Sequence, residues 1–147
     1  MRVVIQRSLN SSVTVDSKIV GSIEHGLVVL VGFTQDDSVK DIEYIVNKII
    51  NLRIFDDENG VMNKSLLDVN GSILSISQFT LYADTKKGRR PSYVEALEPT
   101  KAVLLYNTFN DHIINQGIKV ETGIFGADMK VNINNDGPVT IVMESRS

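Results

Sequence analysis

Residues 129–143 have the sequence MKVNINNDGPVTIVM, which places a Gly-Pro pair between two apolar runs, Met129 to Ile133 and Val139 to Met143. The runs indicate β-strands, and an Asp-Gly turn between two strands is typical of a hairpin. Pro138 has no N–H to donate to a sheet, and Gly137 tolerates backbone angles that other residues avoid. Two interpretations follow: a surface turn that closes a hairpin, or a rigid backbone probe.

Strands are predicted along most of the remaining chain, because β-branched residues are concentrated in runs bounded by glycine-containing turns. The predicted strands are Val3 to Arg7, Ser12 to Asp16, Leu27 to Phe33, Ser72 to Tyr82, Ile118 to Phe125, Met129 to Asn134 and Val139 to Glu144. Most of the connections between them are short, which favours antiparallel neighbours.

Two segments have the apolar spacing of helices. Ser38, with Asp41 three residues later, resembles a capping box, and apolar residues then recur at helical spacing as far as Ile50. Pro99 begins a second such pattern, and Gly117 stands where that helix would end. The chain is therefore predicted to be a single α+β domain of residues 1–147, with two main helices and a largely antiparallel β-sheet curled toward a barrel.

Composition excludes several classes of protein. The chain has 147 residues, 42% of them hydrophobic, and no cysteine, which removes thiol nucleophiles, thiolate metal sites and disulfides. The two histidines, His25 and His112, have no metal-ligand spacing, and we predict no metal and no cofactor. No apolar run is long enough to span a membrane, and the N-terminal run is too short for a signal peptide. We expect a soluble, cytoplasmic protein with no membrane partner.

Charge is distributed unevenly along the chain. The formal net charge of −3 argues against a protein that holds nucleic acid through a large positive field, and we expect no DNA partner. Four cations nevertheless surround Gly88, namely Lys86, Lys87, Arg89 and Arg90. Such a loop is suited to binding phosphates near the end of the preceding strand, although a solvated turn has the same composition.

The strand predicted for Ser72 to Tyr82 carries candidate hydroxyl groups. Since side chains alternate across a strand, Ser77 and Thr80 would point to opposite faces of it. A hydroxyl nucleophile also needs a base within hydrogen-bond distance, and the local sequence places no histidine or lysine beside Thr80. We therefore favour a binding or electrostatic role for this segment, with backbone N–H groups at the strand end stabilising an oxyanion.

Four motifs together resemble the D-aminoacyl-tRNA deacylase family. They are Ser77-Gln78-Phe79-Thr80-Leu81, Gly88-Arg89-Arg90-Pro91-Ser92, Thr122-Gly123-Ile124-Phe125-Gly126-Ala127-Asp128-Met129 and Asn135-Asp136-Gly137-Pro138-Val139-Thr140. The Gln6-Arg7 pair and the region from Arg53 to Asn63 also fit the family pattern, so the resemblance covers essentially the whole chain.

The resemblance implies an editing hydrolase that cleaves the ester between a D-amino acid and the terminal ribose of tRNA. It also implies removal of glycine misattached to alanine tRNA. Family members act as homodimers without a metal, and a cis Gly-Pro pair of one subunit, here Gly137 and Pro138, enters the active site of the other. Arg7 is similar to the residue that helps to hold this pair. The partners implied are thus the aminoacyl-tRNA 3′ end and a second copy of the chain.

The same resemblance assigns roles to the two remaining groups of residues. The catalytic segment would comprise Ser77, Gln78, Phe79 and Thr80. The terminal 2′-hydroxyl of the tRNA, rather than Thr80 as a nucleophile, would assist catalysis. The acceptor-end phosphates would be bound by Lys86, Lys87, Arg89 and Arg90.

Two other functions remain open on the residues alone. One is an esterase or amidase with Thr80 as its nucleophile, which requires a base that the local sequence does not supply. The other is a non-enzymatic dimeric module that binds RNA or a small ligand, because a domain of strands with a basic loop does not by itself imply catalysis. Retained turnover in Thr80→Ala and Thr80→Val would exclude the first alternative, and hydrolysis of charged tRNA would exclude the second.

Overall fold

The computed structural model describes residues 1–146, and within them a main sheet of six strands is built on one long antiparallel hairpin. Strand β1 (Arg2–Val15) pairs with β2 (Lys18–Gly32) along nearly its whole length. The separate strands predicted for Val3 to Arg7 and Ser12 to Asp16 both belong to β1, because the residues between them continue the pairing with β2.

Helices and shorter strands follow the hairpin in chain order. They are α1 (Val39–Asn51), β3 (Phe55–Asp56), β4 (Met62–Lys64), α2 (Leu66–Val69), β5 (Ser72–Ser77), α3 (Pro99–Ile114), β6 (Val120–Thr122), β7 (Lys130–Asn132) and β8 (Asn135–Glu144). Between β5 and α3, residues Phe79–Tyr82 form a single 3-10 turn. The two main helices predicted from the sequence are α1 and α3, and the short α2 is additional.

The main sheet has the strand order β6-β5-β2-β1, and both β7 and β8 pair with the outer edge of β1. The pairings of β1 are antiparallel, but β2 with β5 and β5 with β6 are parallel. The prediction of a largely antiparallel sheet is therefore only partly correct, because α1 and α3 lie in crossover connections that return the chain to the same end of the sheet. Across residues 1–146 the sheet is not closed into a barrel.

Helices α1 and α3 pack against the sheet and share its larger apolar core. At the start of α1, the Asp41 carboxylate accepts a hydrogen bond from the Ser38 backbone N–H at 2.9 Å, as a capping box requires. On α3, the buried residues include Tyr106, Phe109 and Ile113, which recur at helical spacing. Burial of each large apolar side chain contributes about 1.5–3 kcal/mol. Because both helices and the sheet share this core, the chain is a single α+β domain.

The segment 129–143 does not form a hairpin. Strand β7 pairs with Ser12 to Thr14 and β8 pairs with Arg2 to Gln6, so both follow the same edge of β1 in the same direction. Between the pairs Ser8–Asn135 and Gln6–Thr140, β1 advances two residues while β8 advances five, so three extra residues leave the ladder. The hairpin interpretation is wrong because both apolar runs pair with β1 instead of with each other.

Candidate active site

The chain leaves the main sheet at the end of β5. The Gln78 N–H donates to the Val31 carbonyl oxygen of β2 at 2.7 Å, and Gln78, at φ −146° and ψ 79°, then leads into the 3-10 turn. The strand predicted to reach Tyr82 therefore ends at Ser77. The alternation that separated Ser77 from Thr80 does not apply beyond this point.

Gly32, the last residue of β2, allows the turn to lie close against the sheet. A Cβ atom at this position would stand 2.8 Å from the Gln78 carbonyl oxygen and 3.3 Å from Leu81 Cβ. Real Cβ atoms are not found that close to backbone oxygen, so any side chain at position 32 would displace the turn.

Two adjacent backbone N–H groups at the start of the turn are unused. Within residues 1–146, the N–H groups of Phe79 and Thr80 have no acceptor, whereas those of Leu81 and Ala83 donate to Gln78 O and Thr80 O at 3.2 and 3.1 Å. Neighbouring N–H donors of this kind stabilise the oxyanion that develops during ester hydrolysis. The turn thus offers a binding position for a carbonyl oxygen.

The Thr80 hydroxyl is not prepared for nucleophilic attack. Its Oγ1 accepts a hydrogen bond from Gln78 Nε2 at 2.5 Å, and an amide N–H that donates cannot remove the hydroxyl proton. In the part of the chain that the structure describes, no histidine, lysine or carboxylate is hydrogen-bonded to Thr80. The site therefore lacks the base that a threonine nucleophile needs.

A cavity of about 630 Å³ opens beside the turn. Ser77, Gln78 and Phe79 are among its lining residues, and Thr80 is not. Most of its wall is apolar and includes Phe33, Leu97, Ala102, Phe125 and Met129. The Phe79 ring is 58% exposed and meets the Tyr93 ring edge-on, with 5.2 Å between the ring centroids. The cavity is large enough for an amino-acid side chain or a nucleobase.

The three extra residues of β8, residues 136–138, form an outward loop that we call the Gly-Pro loop. The peptide bond between Gly137 and Pro138 is cis, and both residues are exposed. At the base of the loop, Asn135 Oδ1 accepts a bond from the Val139 N–H at 3.2 Å, and Asn135 Nδ2 donates to Thr140 Oγ1 at 2.9 Å. One side chain therefore bridges the two ends of the loop.

Arg7 contacts the Gly-Pro loop from the interior. Its side chain is only 9% exposed, and it donates from Nε to Asp136 O at 3.0 Å and from Nη1 to Ile54 O at 2.8 Å. The carboxylates of Asp56 and Asp136 lie 3.3 and 3.4 Å from its nitrogens but are about half exposed. Because partly exposed ion pairs contribute little, the two bonds to backbone carbonyls dominate the contact.

Within one chain, the Gly-Pro loop lies away from Ser77. Ser77 lies opposite Val31, which lies opposite Val3, whereas Arg7 is four residues further along β1. At about 3.3 Å per residue and 4.8 Å per strand, the loop is about 13 Å along the sheet and about 14 Å across it from Ser77. The structure therefore brings Arg7 to Gly137 and Pro138, but does not bring that group to Ser77 and its neighbours.

The four predicted phosphate-binding cations lie on an exposed loop that follows the 3-10 turn. Asp84 and Ser92 close this loop with two backbone hydrogen bonds of 2.8 Å each. Lys86, Lys87, Arg89 and Arg90 are all exposed, and none forms an ion pair within the described residues. Tyr93, which lines the cavity, directly follows Ser92 in the chain, so the four cations are close in sequence to a cavity residue.

Three contributors to this geometry were not identified from the sequence. Gly32 could have been recognised, since a glycine inside a strand often marks a close backbone approach. Asn135 could also have been recognised, since asparagine side chains bond to nearby backbone groups in turns. Tyr93 had no local signal.

Within residues 1–146, no helix is both long and apolar enough to cross a bilayer. No group of three or more His, Asp or Glu side chains is arranged to hold a metal ion in this part of the chain.

A cavity beside a turn that offers two adjacent backbone donors has the features of an acyl-transfer site. Comparison with known proteins identifies the family to which the chain belongs. The family model described as D-Tyr-tRNA(Tyr) deacylase matches residues 4–144. The chain belongs to this family of deacylases, which makes it a hydrolase.

Individual relatives agree with this assignment. D-aminoacyl-tRNA deacylase of Bacillus cytotoxicus is 59% identical over 99% of this chain and 100% of its own length. The protein of the same name from Geobacillus sp. (strain WCH70) is 56% identical over 99% of this chain and 96% of its own length.

Two solved structures are also similar. The c-Myc DNA Unwinding Element Binding Protein has a TM-score of 0.94 at 40% identity, with both chains fully covered. A probable eukaryotic D-amino acid tRNA deacylase has a TM-score of 0.83 at 19% identity over 97% of this chain and 98% of that one, which shows the fold alone. The name of the first refers to DNA, so the absence of a DNA partner stays a prediction for this chain.

Proposed function

We propose that the protein hydrolyses the ester of D-aminoacyl-tRNA, and that the aminoacylated 3′ end enters the cavity beside the 3-10 turn. The observation that carries the proposal is the pair of unused N–H groups of Phe79 and Thr80 in the turn beside this cavity, which Phe79 lines. Placed within hydrogen-bond distance of the ester carbonyl, they stabilise the negative charge that develops on its oxygen. Family membership supplies the substrate class.

The terminal 2′-hydroxyl of the tRNA assists catalysis in this proposal. Thr80 has no base, and its hydroxyl already accepts a bond from Gln78. A ribose hydroxyl next to the ester is held beside the reacting carbon by the substrate itself and gains the rate advantage of proximity. The protein then has to bind and orient the ester and to stabilise the charge that develops on its oxygen. The cavity and the turn are suited to these tasks.

The Gly-Pro loop rejects L-amino acids in this proposal, acting on the cavity of a partner subunit in a homodimer. Its exposure, its support by Arg7 and its distance from Ser77 of its own chain favour action on a second copy. A backbone wall placed at Cα leaves room for hydrogen but not for an L side chain, whatever that side chain is. Glycine has hydrogen on both sides of Cα, so glycine misattached to alanine tRNA is also a substrate.

The first experiment compares release of amino acid from D-tyrosyl-tRNA and L-tyrosyl-tRNA by the purified protein without added metal. We expect the D ester to be hydrolysed at least about 100-fold faster, because exclusion of a side chain by a rigid wall costs several kcal/mol. Equal rates for the two esters contradict chiral selection. Binding without hydrolysis of either ester would support a non-enzymatic module instead.

Thr80→Val is expected to retain activity within about tenfold of the wild type. Valine keeps the backbone N–H and the approximate shape of threonine, and it removes only the hydroxyl. Single-turnover deacylation of D-tyrosyl-tRNA measures the effect. A loss of several orders of magnitude, or a trapped adduct on Thr80 in the wild type, would establish the threonine nucleophile and refute assistance by the ribose.

Removal of the four cations is expected to weaken tRNA binding. Replacing Lys86, Lys87, Arg89 and Arg90 with glutamine should raise KM for D-tyrosyl-tRNA about tenfold and flatten the dependence of log KM on log salt, because fewer counterions are released on binding. The matched control replaces the exposed Lys40 and Lys48 of α1. Identical salt slopes in wild type and loop variant would show that this loop is a solvated turn.

A further inference from the structure

Arg2, at the start of β1, reaches across to the 3-10 turn. Its Nη1 donates to the Leu81 carbonyl oxygen at 2.5 Å, and its Nε bonds to Glu144 Oε1 of β8 at 2.7 Å. Its guanidinium carbon also lies 4.6 Å from the centre of the Tyr82 ring. One side chain therefore joins two residues of the turn to β1 and β8.

The Tyr82 ring, which lies below the Arg2 guanidinium, is buried and uncharged. Tyr82 is only 7% exposed, and burial, with the nearby Asp37 carboxylate as the second cause, raises the pKa of its phenol to about 12. The ring thus stays neutral over the working range of an enzyme. A cation over the face of a neutral aromatic ring is attracted by the negative face of the ring.

The start of the turn is anchored to the sheet by the bond from the Gln78 N–H to the Val31 carbonyl oxygen, and the turn lies directly against Gly32. Beyond this anchor, the turn contains one short run of 3-10 bonds. Within residues 1–146, no backbone N–H of a loop or turn donates to the Leu81 carbonyl oxygen. The hydrogen bond that this oxygen accepts comes from Arg2. Motion of Leu81 would be transmitted to Thr80 and Phe79, since a turn of four residues moves almost as a unit.

We infer that Arg2 is a positioning residue for the reaction, which fixes the 3-10 turn so that the N–H groups of Phe79 and Thr80 point at the ester oxygen. The inference rests on the proposed function. Arg2 does not contact the substrate, and it acts through the Leu81 carbonyl and the Tyr82 ring. The aligned N–H donors stabilise the transition state more than the bound ester, so their displacement affects kcat before KM.

The test compares Arg2→Met and Arg2→Lys with the wild type in deacylation of D-tyrosyl-tRNA. Arg2→Met should lower kcat about tenfold with KM within twofold, because about 1 Å of displacement weakens both oxyanion donors. Arg2→Lys keeps a cation and one donor and should recover part of the loss. Arg146→Met is the matched control, since Arg146 pairs with Asp37 and Asp41 and, within residues 1–146, forms no hydrogen bond with the turn.

A second measurement does not depend on activity. In two-dimensional ¹⁵N–¹H NMR spectra, the amide signals of Phe79 and Thr80 should shift in Arg2→Met and stay in place in Arg146→Met. The inference is overturned if kcat of Arg2→Met equals that of the wild type, if Arg146→Met loses as much, or if kcat falls while both amide signals are unchanged. Circular dichroism at the assay temperature checks folding, and Arg2→Lys carries the test if Arg2→Met does not fold.

Failure of the proposed function is distinguishable from failure of this inference. A wild-type protein that does not hydrolyse D-tyrosyl-tRNA refutes the function. A wild-type protein that does, with an equally active Arg2→Met variant, refutes only the positioning role.

Discussion

Arg7→Met should lower kcat/KM for D-tyrosyl-tRNA by about 100-fold and reduce the ratio of D to L hydrolysis at least tenfold. The substitution removes the bonds to Asp136 O and Ile54 O, which tie the Gly-Pro loop to the interior. A misplacement of about 1 Å in a positioning element costs on the order of 100-fold in rate. The loop would remain attached to β8 but would lose its support.

The same variant should lose about 2–3 kcal/mol of unfolding free energy, because two carbonyls are left without their donor. Chemical denaturation measures this, and assays below the onset of unfolding separate it from activity. Lys130→Met is a matched control, since it removes one cation from the neighbouring β7, where the side chain is 73% exposed and paired with Asp128. Wild-type D to L selectivity in Arg7→Met would show that the loop does not need this arginine.

Gly26→Ala should lower the unfolding free energy by more than about 4 kcal/mol, the range that marks a severe packing conflict. Gly26 lies on β2 between Ser8 and Ser72 and has φ +150°, a conformation that L side chains rarely adopt. A Cβ there would overlap the Ser72 carbonyl oxygen and stand 2.7 Å from the Ser72 nitrogen. Strand β2 would have to separate from β5, the strand that leads into the 3-10 turn.

Gly60→Ala is the control for Gly26→Ala. Gly60 has φ +73° and nothing within 4 Å of the added Cβ, so only backbone strain of about 1–2 kcal/mol is expected. Thermal unfolding of both variants compares a steric conflict with strain alone. Equal melting temperatures would contradict the close approach of β2 and β5 at this position.

Local patterns predicted the elements of this fold better than their pairing. The capping box at Ser38 and the spacing from Pro99 to Gly117 gave both main helices, because helix signals are contained within a few turns. Ser65 with Asp68 repeats the capping-box pattern and marks α2, which was overlooked. The parallel pairing of β5 with β2 has no local signal, since it depends on where the α1 crossover returns the chain.

The candidate site shows the same division. The residues from Ser77 to Thr80 were found through motifs that resemble a family, and their chemistry followed from residue types. Their geometry could not be predicted from the local sequence. The strand ends at Ser77 because the following residues contact Val31 and Gly32 on β2. Arg2 was missed for a similar reason: its acceptor, the Leu81 carbonyl, is 79 residues away in the chain.

Because β1 pairs with β8, the ribosome completes this partner of β1 long after β1 itself. Arg7 and its acceptor Asp136 are separated by 129 residues. At about 5–20 residues per second, a ribosome makes Asp136 about 6–26 s after Arg7. During the later part of that interval Ser77 to Phe79 already exist, while the edge of β1 has neither β7 nor β8 to cover it. An open edge of this kind is prone to pair with other chains, so the nascent protein is exposed to aggregation until β7 and β8 are made.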